Sequence, residues 1–223
     1  MEATEAPSTL PTGAFSVWLR GMQNALRGER ASDVPCEGCS ACCSSSQFVH
    51  IDPDETEALA HIPSELLFAA PGTPIGYFLL GYDERGRCPM LTDGRCSIYK
   101  HRPRTCRTYD CRVFPATGLK IEGHDKALNA EQTRRWRFDY PGELDRNERD
   151  AVRAAAEFLQ HEEVLPEGTS ATSATQLAVL AVEVHDAFLR YDAGSRSTRV
   201  VTPDIQVVRV ALTRRTRSSP RRP

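Results

Sequence analysis

The stretch Cys36-Glu-Gly-Cys39-Ser-Ala-Cys42-Cys43 places four cysteines within eight residues. Successive thiols are separated by two residues, a spacing that lets a turn direct both sulfurs of a pair toward one centre. Cys43 directly follows Cys42, and neighbouring side chains diverge in most backbone conformations. We therefore expect this adjacent pair to serve two centres, or one ligand role and one buried role, more easily than two positions on one tetrahedral ion.

A second cysteine group follows between residues 85 and 112, with turn signals at Asp93-Gly94 and Arg102-Pro103. This segment has little apolar periodicity, which indicates a structure imposed by ligands. We predict that all eight cysteines are metal ligands: Cys36, Cys39, Cys42, Cys43, Cys88, Cys96, Cys106 and Cys111. Eight thiolates suffice for two zinc sites, for two iron-sulfur clusters, or for one centre and a reactive pair, and the sequence does not choose among these.

The cellular compartment decides whether the cysteines bind metal or form disulfides, because a reducing cytosol keeps thiols free. Residues 1–10 carry Glu2 and Glu5 where a secretory signal would carry a basic residue, and no apolar segment follows. No apolar run approaches the roughly 18 residues of a membrane-spanning helix. We expect a cytoplasmic protein with metal ions as partners and no membrane association.

The charge of the second cysteine segment favours ligation. Residues 85–112 hold eight basic and two acidic residues, a net charge of +6, interleaved with the cysteines. Such charge lowers thiol pKa values and compensates an anionic thiolate site. We expect Arg102 and Arg107 to donate hydrogen bonds around the ligands, with plain surface charge or an RNA-binding patch as the alternative. Four histidines are candidate auxiliary ligands: His50, His61, His101 and His124. Of these, His101 is the best placed.

The chain carries a net charge of -2, but its last ten residues contribute +5. General nucleic-acid binding is therefore not expected. The Arg-rich tail itself is a candidate contact for RNA or for an acidic protein.

Periodicity predicts an α+β fold, with a small, irregular, metal-centred cysteine domain, short strands and accessory α-helices. We expect a disordered lead-in and short helix over residues 1–30, the cysteine domain over 31–115, a mainly helical region over 116–213 and a disordered tail over 214–223. Within these regions we predict helices at 14–27, 53–61 and 145–160, a capped helix after Ser173, and strands at 47–51, 76–82 and 202–212.

At these residues the sequence resembles the YkgJ-type cysteine-cluster family, a zinc- or iron-chelating domain with a CxxCxxCC signature. The match is carried by the first cysteine group and then, in order, by Cys88-Pro-Met-Leu91, Gly94-Arg-Cys96-Ser-Ile-Tyr99 and the stretch from Arg102-Pro103 to Cys111. It covers about residues 31–115. The resemblance implies chelation of zinc or iron, and a related cluster occurs in flagellin lysine methylases.

Catalytic residues are unknown, because the sequence has no P-loop and no HExxH, GxSxG or GxGxxG motif. The function predicted is that of a cytosolic protein binding zinc, iron or an iron-sulfur cluster through eight cysteines, with no reaction assigned. One alternative is an iron-sulfur-dependent redox or methyl-transfer enzyme. The other is a module whose fold is held together by zinc and which contacts RNA or protein.

Overall fold

The computed structural model describes residues 8–36, 38–161, 164–165, 173–194 and 197–218. The chain forms two compact units. The helical unit comprises residues 1–23, 112–120 and 133–222, and the cysteine unit comprises residues 24–111 and 121–132. Short strands and helices occur in both, so the predicted α+β class is confirmed.

Helices α6 (Glu143–Leu159), α7 (Ala174–Val184) and α8 (Ile205–Ser218) form the core of the helical unit. Small side chains of α6 and α7, including Ala155 and Ala181, are fully buried and let the two helices approach closely. The capping box predicted at Ser173 is confirmed, since the backbone N–H of Gln176 donates to the Ser173 hydroxyl at 3.2 Å. Helix α4 (Val113–Thr117) packs on α6 and α7, and a hairpin of β8 (Leu189–Asp192) and β9 (Ser197–Val200) packs on α6.

Strand β1 (Leu10–Ala14) pairs in parallel with β7 (Trp136–Asp139) and leads into helix α1 (Phe15–Leu26). The predicted helix at residues 14–27 is thereby confirmed. The aromatic rings of Phe15, Trp18 and Phe138 contact one another, with centroid separations of 4.9 to 5.3 Å. These ring contacts join α1 to the strand pair.

The cysteine unit contains a small antiparallel sheet in the order β2-β4-β3, formed by Val49–Ile51, Phe78–Leu80 and Leu67–Ala69. The strands predicted at residues 47–51 and 76–82 are confirmed. Helix α2 (Thr56–His61), the hairpin of β5 (Leu91–Thr92) and β6 (Arg95–Cys96), α3 (Arg104–Thr108) and α5 (Ala127–Arg135) complete the elements. The buried apolar cluster beneath the sheet has five members: Val49, Ile51, Ile62, Leu80 and Ile98.

Four local expectations differ from the structure. The strand predicted at residues 202–212 is part of α8, because Val208 and Leu212 lie four residues apart and are buried together on one helix face. The helix also passes through the tail boundary predicted at residue 214, and residues 219–223 lie outside the described residues. The predicted lead-in contains strand β1, while residues 1–7 are not described. Helix α2 starts at Thr56, three residues after the expected start at Pro53.

The unit boundaries also differ from the expected ones. Residues 112–120 belong to the helical unit, where Val113 and Phe114 are buried, and residues 121–132 belong to the cysteine unit. None of the helices that the structure describes has both the length and the apolar character needed to span a bilayer.

Asp145 supports two helix starts in the helical unit. Its carboxylate is buried, and it accepts the Ser16 amide of α1 and the Gly142 amide before α6, both at 3.0 Å. The hydrogen bond from the Ser16 amide is the largest cause that lowers the pKa of Asp145. The charged carboxylate therefore stabilises both helix N-termini.

We predict that Asp145→Asn destabilises the helical unit by about 1–2 kcal/mol, because one amide then loses its charged acceptor. Urea unfolding followed by tryptophan fluorescence measures this unit, since Trp18 and Trp136 are the only tryptophans of the chain and both lie in it. A lowered native pKa gives stability that is present above the unfolded pKa and lost as the pH falls through the native value. The difference in unfolding free energy between Asp145→Asn and wild type should therefore become smaller in acid. The control variant Glu143→Gln changes an exposed side chain, and its unfolding free energy should stay close to that of wild type.

Candidate metal centre

Seven of the eight cysteines line one cavity of about 320 Å³ in the cysteine unit: Cys36, Cys39, Cys42, Cys43, Cys88, Cys96 and Cys106. All eight thiols are free, so no disulfide joins them. Cys111 is buried and is not among the cavity residues. The structure thus brings together seven of the predicted ligands and leaves the eighth apart.

The first cysteine motif is shaped by local turns. The Cys39 amide donates to the Cys36 carbonyl at 2.9 Å, and a short 3₁₀ turn spans Cys42–Ser44. The Ser45 hydroxyl closes this turn on the Ala41 carbonyl at 2.6 Å. Small side chains around the cysteines allow such tight backbone bonds, which turn successive thiols toward the same cavity.

The expectation that the side chains of Cys42 and Cys43 diverge is wrong. Their thiols are joined by a hydrogen bond, and both line the same cavity. The observed pair is a contact between two thiols.

The second cysteine group begins beside the first. The Cys88 amide donates to the Cys43 carbonyl at 2.7 Å, and the Leu91 amide donates to the Cys88 carbonyl at 2.9 Å. The turn predicted at Asp93-Gly94 is confirmed, with φ values of 51° and 73° that suit a two-residue hairpin. This hairpin pairs Leu91 with Cys96, and both Cys88 and Cys96 line the cavity.

Helix α3, which carries Cys106, is fixed by polar contacts at its N-terminus. The Arg104 guanidinium donates to Asp52 at 2.8 Å and to Asp54 at 2.7 Å. The buried carboxylate of Glu55 accepts the Arg104 amide and also the Asp52 amide. The acidic residues that precede α2 therefore hold the start of α3.

Three further hydrogen bonds fix the end of α3 and the chain that follows it. The Ser32 amide donates to the Arg107 carbonyl at 2.8 Å, and the Ser32 hydroxyl donates to Asp110 at 3.1 Å. Tyr109, which lines the cavity, accepts a hydrogen bond from the Asn129 side chain at 2.9 Å. Sequence reasoning missed Asn129, because no spacing links it to the cysteines and only its burial at 2% exposure reveals it.

Thiol pKa values diverge within the cavity. Burial, with lesser contributions from neighbouring thiols, raises the pKa of Cys88 to about 11 and that of Cys106 to about 12. The hydrogen bond from Cys42, helped by Arg102 and a backbone amide, lowers the pKa of Cys43 to about 7 against the cost of burial. That same bond raises the pKa of Cys42. The hydrogen-bonded pair therefore favours the ionised form of Cys43 over that of Cys42.

Arg102 is one of three basic residues that line the cavity, together with Arg95 and Lys100. The Arg102 guanidinium lies over the Tyr99 ring at 3.7 Å from the centroid, and its buried Nε has no hydrogen-bond partner among the described residues. Its charge lowers the pKa of Cys36, Cys43, Cys96 and Cys106 against the burial of these thiols. Arg107, the other arginine expected here, is exposed and does not line the cavity.

The donor set fits zinc or iron in its chemistry. Thiolates are the soft ligands that zinc and iron-sulfur clusters take, and an N–H donor with no partner suits a ligand sulfur. As the side chains stand, no group of three or more His, Cys, Asp or Glu residues in the described parts of the chain is arranged to hold a metal ion. The fit is thus one of residue type and location, while closing a coordination shell requires movement of the thiols.

The histidines do not join this site, since none of the four candidates lines the cavity. His61 and His101 stack on each other with ring centroids 3.7 Å apart. Both Nδ1 atoms bond to Glu57, that of His61 to the carbonyl and that of His101 to the carboxylate, each at 2.8 Å. These contacts link α2 to the turn before Arg102.

Residues 35–134 match the model of the CxxCxxCC family, described as a putative zinc- or iron-chelating domain. This segment of the chain is similar to the CxxCxxCC family. The resemblance seen in the sequence is confirmed, and the matched segment extends past residue 115 to include Asn129 and most of α5. No curated protein and no solved structure matches the chain.

We predict that Arg104→Met lowers metal affinity by about 10–100-fold, because residues that position ligands affect affinity on this scale. The variant removes the ion pairs that fix α3 and hence Cys106. Metal retained by the purified full-length protein against increasing chelator measures the effect. Arg85→Met is the matched control, since Arg85 is exposed and lies outside the cavity. Equal retention by both variants would contradict the role given to Arg104.

Proposed function

We propose that this protein binds zinc or iron through the cysteines of the segment that matches the CxxCxxCC family, in the cavity that seven of them share. The observation that carries the proposal is this convergence of two cysteine groups, remote in sequence, on one cavity together with Arg102. Convergence of soft donors is the arrangement that thiolate metal centres require.

Electrostatics favours a cavity that holds a metal cation over a cavity that holds only free thiols. Buried thiols resist ionisation, as the raised pKa values of Cys88 and Cys106 express. A bound cation reverses this balance, because its charge deprotonates coordinating thiols. Cys43, whose pKa is lowered, would supply a thiolate, and Arg102 would offset the excess negative charge of a multi-thiolate centre.

The small core of the cysteine unit supports a structural role for the metal. Five buried apolar residues form its main cluster, and the partly buried Cys88, Cys96 and Cys106 pack against them. A core of this size supplies little folding free energy. In small domains a bound metal commonly supplies the stabilisation that the apolar core lacks. Metal binding would then contribute directly to the stability of this unit.

An iron-sulfur centre is a second candidate, favoured by the number of cysteines. Seven thiols in one cavity exceed the four that one zinc ion takes. Two clusters, or one cluster beside a zinc ion, would use more of them. A bound iron-sulfur cluster would supply electron-transfer capacity, while the protein residues hold it, shield it and set its charge environment.

Protein purified without oxygen should carry zinc or iron, and stripping the metal should unfold the cysteine unit alone. We expect trypsin then to cleave within residues 85–112, where the chain is rich in Arg, while α6 and α7 stay protected. Mass spectrometry of the fragments locates the cuts, and tryptophan fluorescence reports on the helical unit as the internal control. Unchanged protection after complete metal removal would contradict the structural role, and protein with no bound metal would contradict the proposed function.

A further inference from the structure

We propose that His185 is a proton-dependent cap of helix α7, which fastens the end of α7 to α6 while its imidazole ring is charged and weakens this junction when the ring loses its proton. His185 lies in the helical unit, so the proposal is independent of metal binding in the cysteine unit. The residue is the C-cap of α7 and the first residue of a 3₁₀ turn, His185–Phe188, that leads into β8.

The contacts of the buried His185 ring define its charge state. The residue is 2% exposed, its Nδ1 lies 2.7 Å from the Val182 carbonyl oxygen, and its Nε2 lies 3.1 Å from the Asp186 carboxylate. A carbonyl and a carboxylate only accept, so both nitrogens must carry a hydrogen for both contacts to be hydrogen bonds. Neutral imidazole carries one such hydrogen, and the geometry therefore selects the charged, doubly protonated ring.

The place of the ring in the fold favours the same charge state. The Val182 carbonyl belongs to the last turn of α7, where the helix itself leaves its carbonyl groups without an N–H partner. The His185 ring supplies a donor to this carbonyl, and a positive charge at the C-terminal end of a helix is stabilised by the helix dipole. The cap is therefore strongest when the ring is charged.

Helix α6 supplies an opposite charge. Its Glu148 lies one helical turn after the buried Asp145, on the side of α6 that carries the buried Val152. The Oε2 atom of Glu148 is buried and has no hydrogen-bond partner among the described residues. Burial raises the pKa of Glu148, whereas the charges of His185 and of Arg20 on α1 lower it. A charged His185 ring thus offsets the cost of a shielded carboxylate on α6.

Loss of the proton from His185 undoes these contacts together. The ring then keeps a single hydrogen, so one of its two acceptors loses its donor, and Glu148 faces an uncharged ring. Burial is the largest single influence on the pKa of His185 and lowers it. The hydrogen bonds of the ring and the charges of Asp186 and Glu148 act against burial and leave the pKa raised above its ordinary value.

The sign of the resulting pH dependence follows from this raised pKa. A native pKa above the unfolded one gives stability that is fully present below the unfolded value and lost as the pH rises through the native value. The junction of α6 and α7 should therefore weaken as the pH rises, whereas the stabilisation by Asp145 is lost as the pH falls. The two effects are separated in pH and can be measured in one protein.

Other charged residues are carried by elements that pack on the same turn. Helices α7 and α8 and strand β8 contribute Glu183, Arg190, Asp192, Arg209, Arg214, Arg215 and Arg217. These residues are unchanged in all the variants used below. A difference between wild type and a variant therefore reports on the contacts of His185 itself.

The first test measures the ionisation of His185 by NMR of the imidazole ¹⁵N nuclei in the full-length protein, with His185→Gln identifying the resonances by their loss. The ring should titrate above the ordinary value of about 6.5, and both nitrogens should carry hydrogen in neutral solution. Asp186→Asn and Glu148→Gln keep the shape of the side chain but remove its charge. Each should lower the pKa of His185 by about 0.5–1 unit, whereas the exposed α6 control Glu143→Gln should leave it unchanged.

The second test measures the stability of the helical unit by urea unfolding followed through tryptophan fluorescence, from about pH 5 to about pH 9. The unfolding constant of His185→Gln divided by that of wild type should be largest in mild acid. It should fall as the pH rises, by about tenfold for each unit by which the native pKa exceeds the unfolded one.

Two results would overturn the proposal. One is a neutral His185 ring at pH 7, or a pKa that does not move in Asp186→Asn, a variant of an exposed side chain that should fold like wild type. The other is a ratio of unfolding constants that stays constant with pH, which would show that His185 packs in the core without acting as a proton-dependent cap.

Discussion

The crowding of seven partly buried thiols in one cavity beside Arg102 is the constraint on which the cysteine unit depends. Sulfur atoms shielded from water resist ionisation, and the charge of Arg102 favours the ionised form of four of them. Thiolates packed this densely repel one another unless a multivalent cation lies between them. The proposed metal resolves this conflict, and the same ionisation that creates the ligands strengthens their hold on the metal.

Polar contacts, rather than a large apolar core, hold the ligand-bearing segments in place. Arg104 and Glu55 fix the start of α3, Ser32 fixes the chain beyond its end, and a backbone bond joins Cys88 to Cys43. Each contact joins residues far apart in sequence, so the ligands are set by long-range pairings of individually modest strength. Such a network gains cooperativity when a metal connects its parts.

Local signals in the sequence predicted the elements that depend on local physics. The hairpin turn at Asp93-Gly94 and the capping box at Ser173 involve residues that fix their own backbone. The strand β1 was missed because its partner β7 lies more than a hundred residues away. The β-branched run before Leu212 suggested a strand, yet burial against α6 and α7 selected a helix.

The candidate site was predictable in its composition and less so in its arrangement. Spacing identified the cysteines, but it could not place Cys111 outside the cavity or show that Cys42 and Cys43 touch. No pattern of residue types encodes the second point, because it depends on the tight turn that the folded chain forms there. Asn129 likewise acquires its role only through the folded position of α5 against Tyr109.

X-ray absorption at the metal edge of anaerobically purified full-length protein tests the central claim most directly, because it reads the atoms bound to the metal. The account predicts a first shell made of sulfur, with distances of about 2.3 Å for zinc. A first shell dominated by nitrogen or oxygen at about 2.0–2.1 Å would contradict it, since that ion would lie outside the thiol cavity.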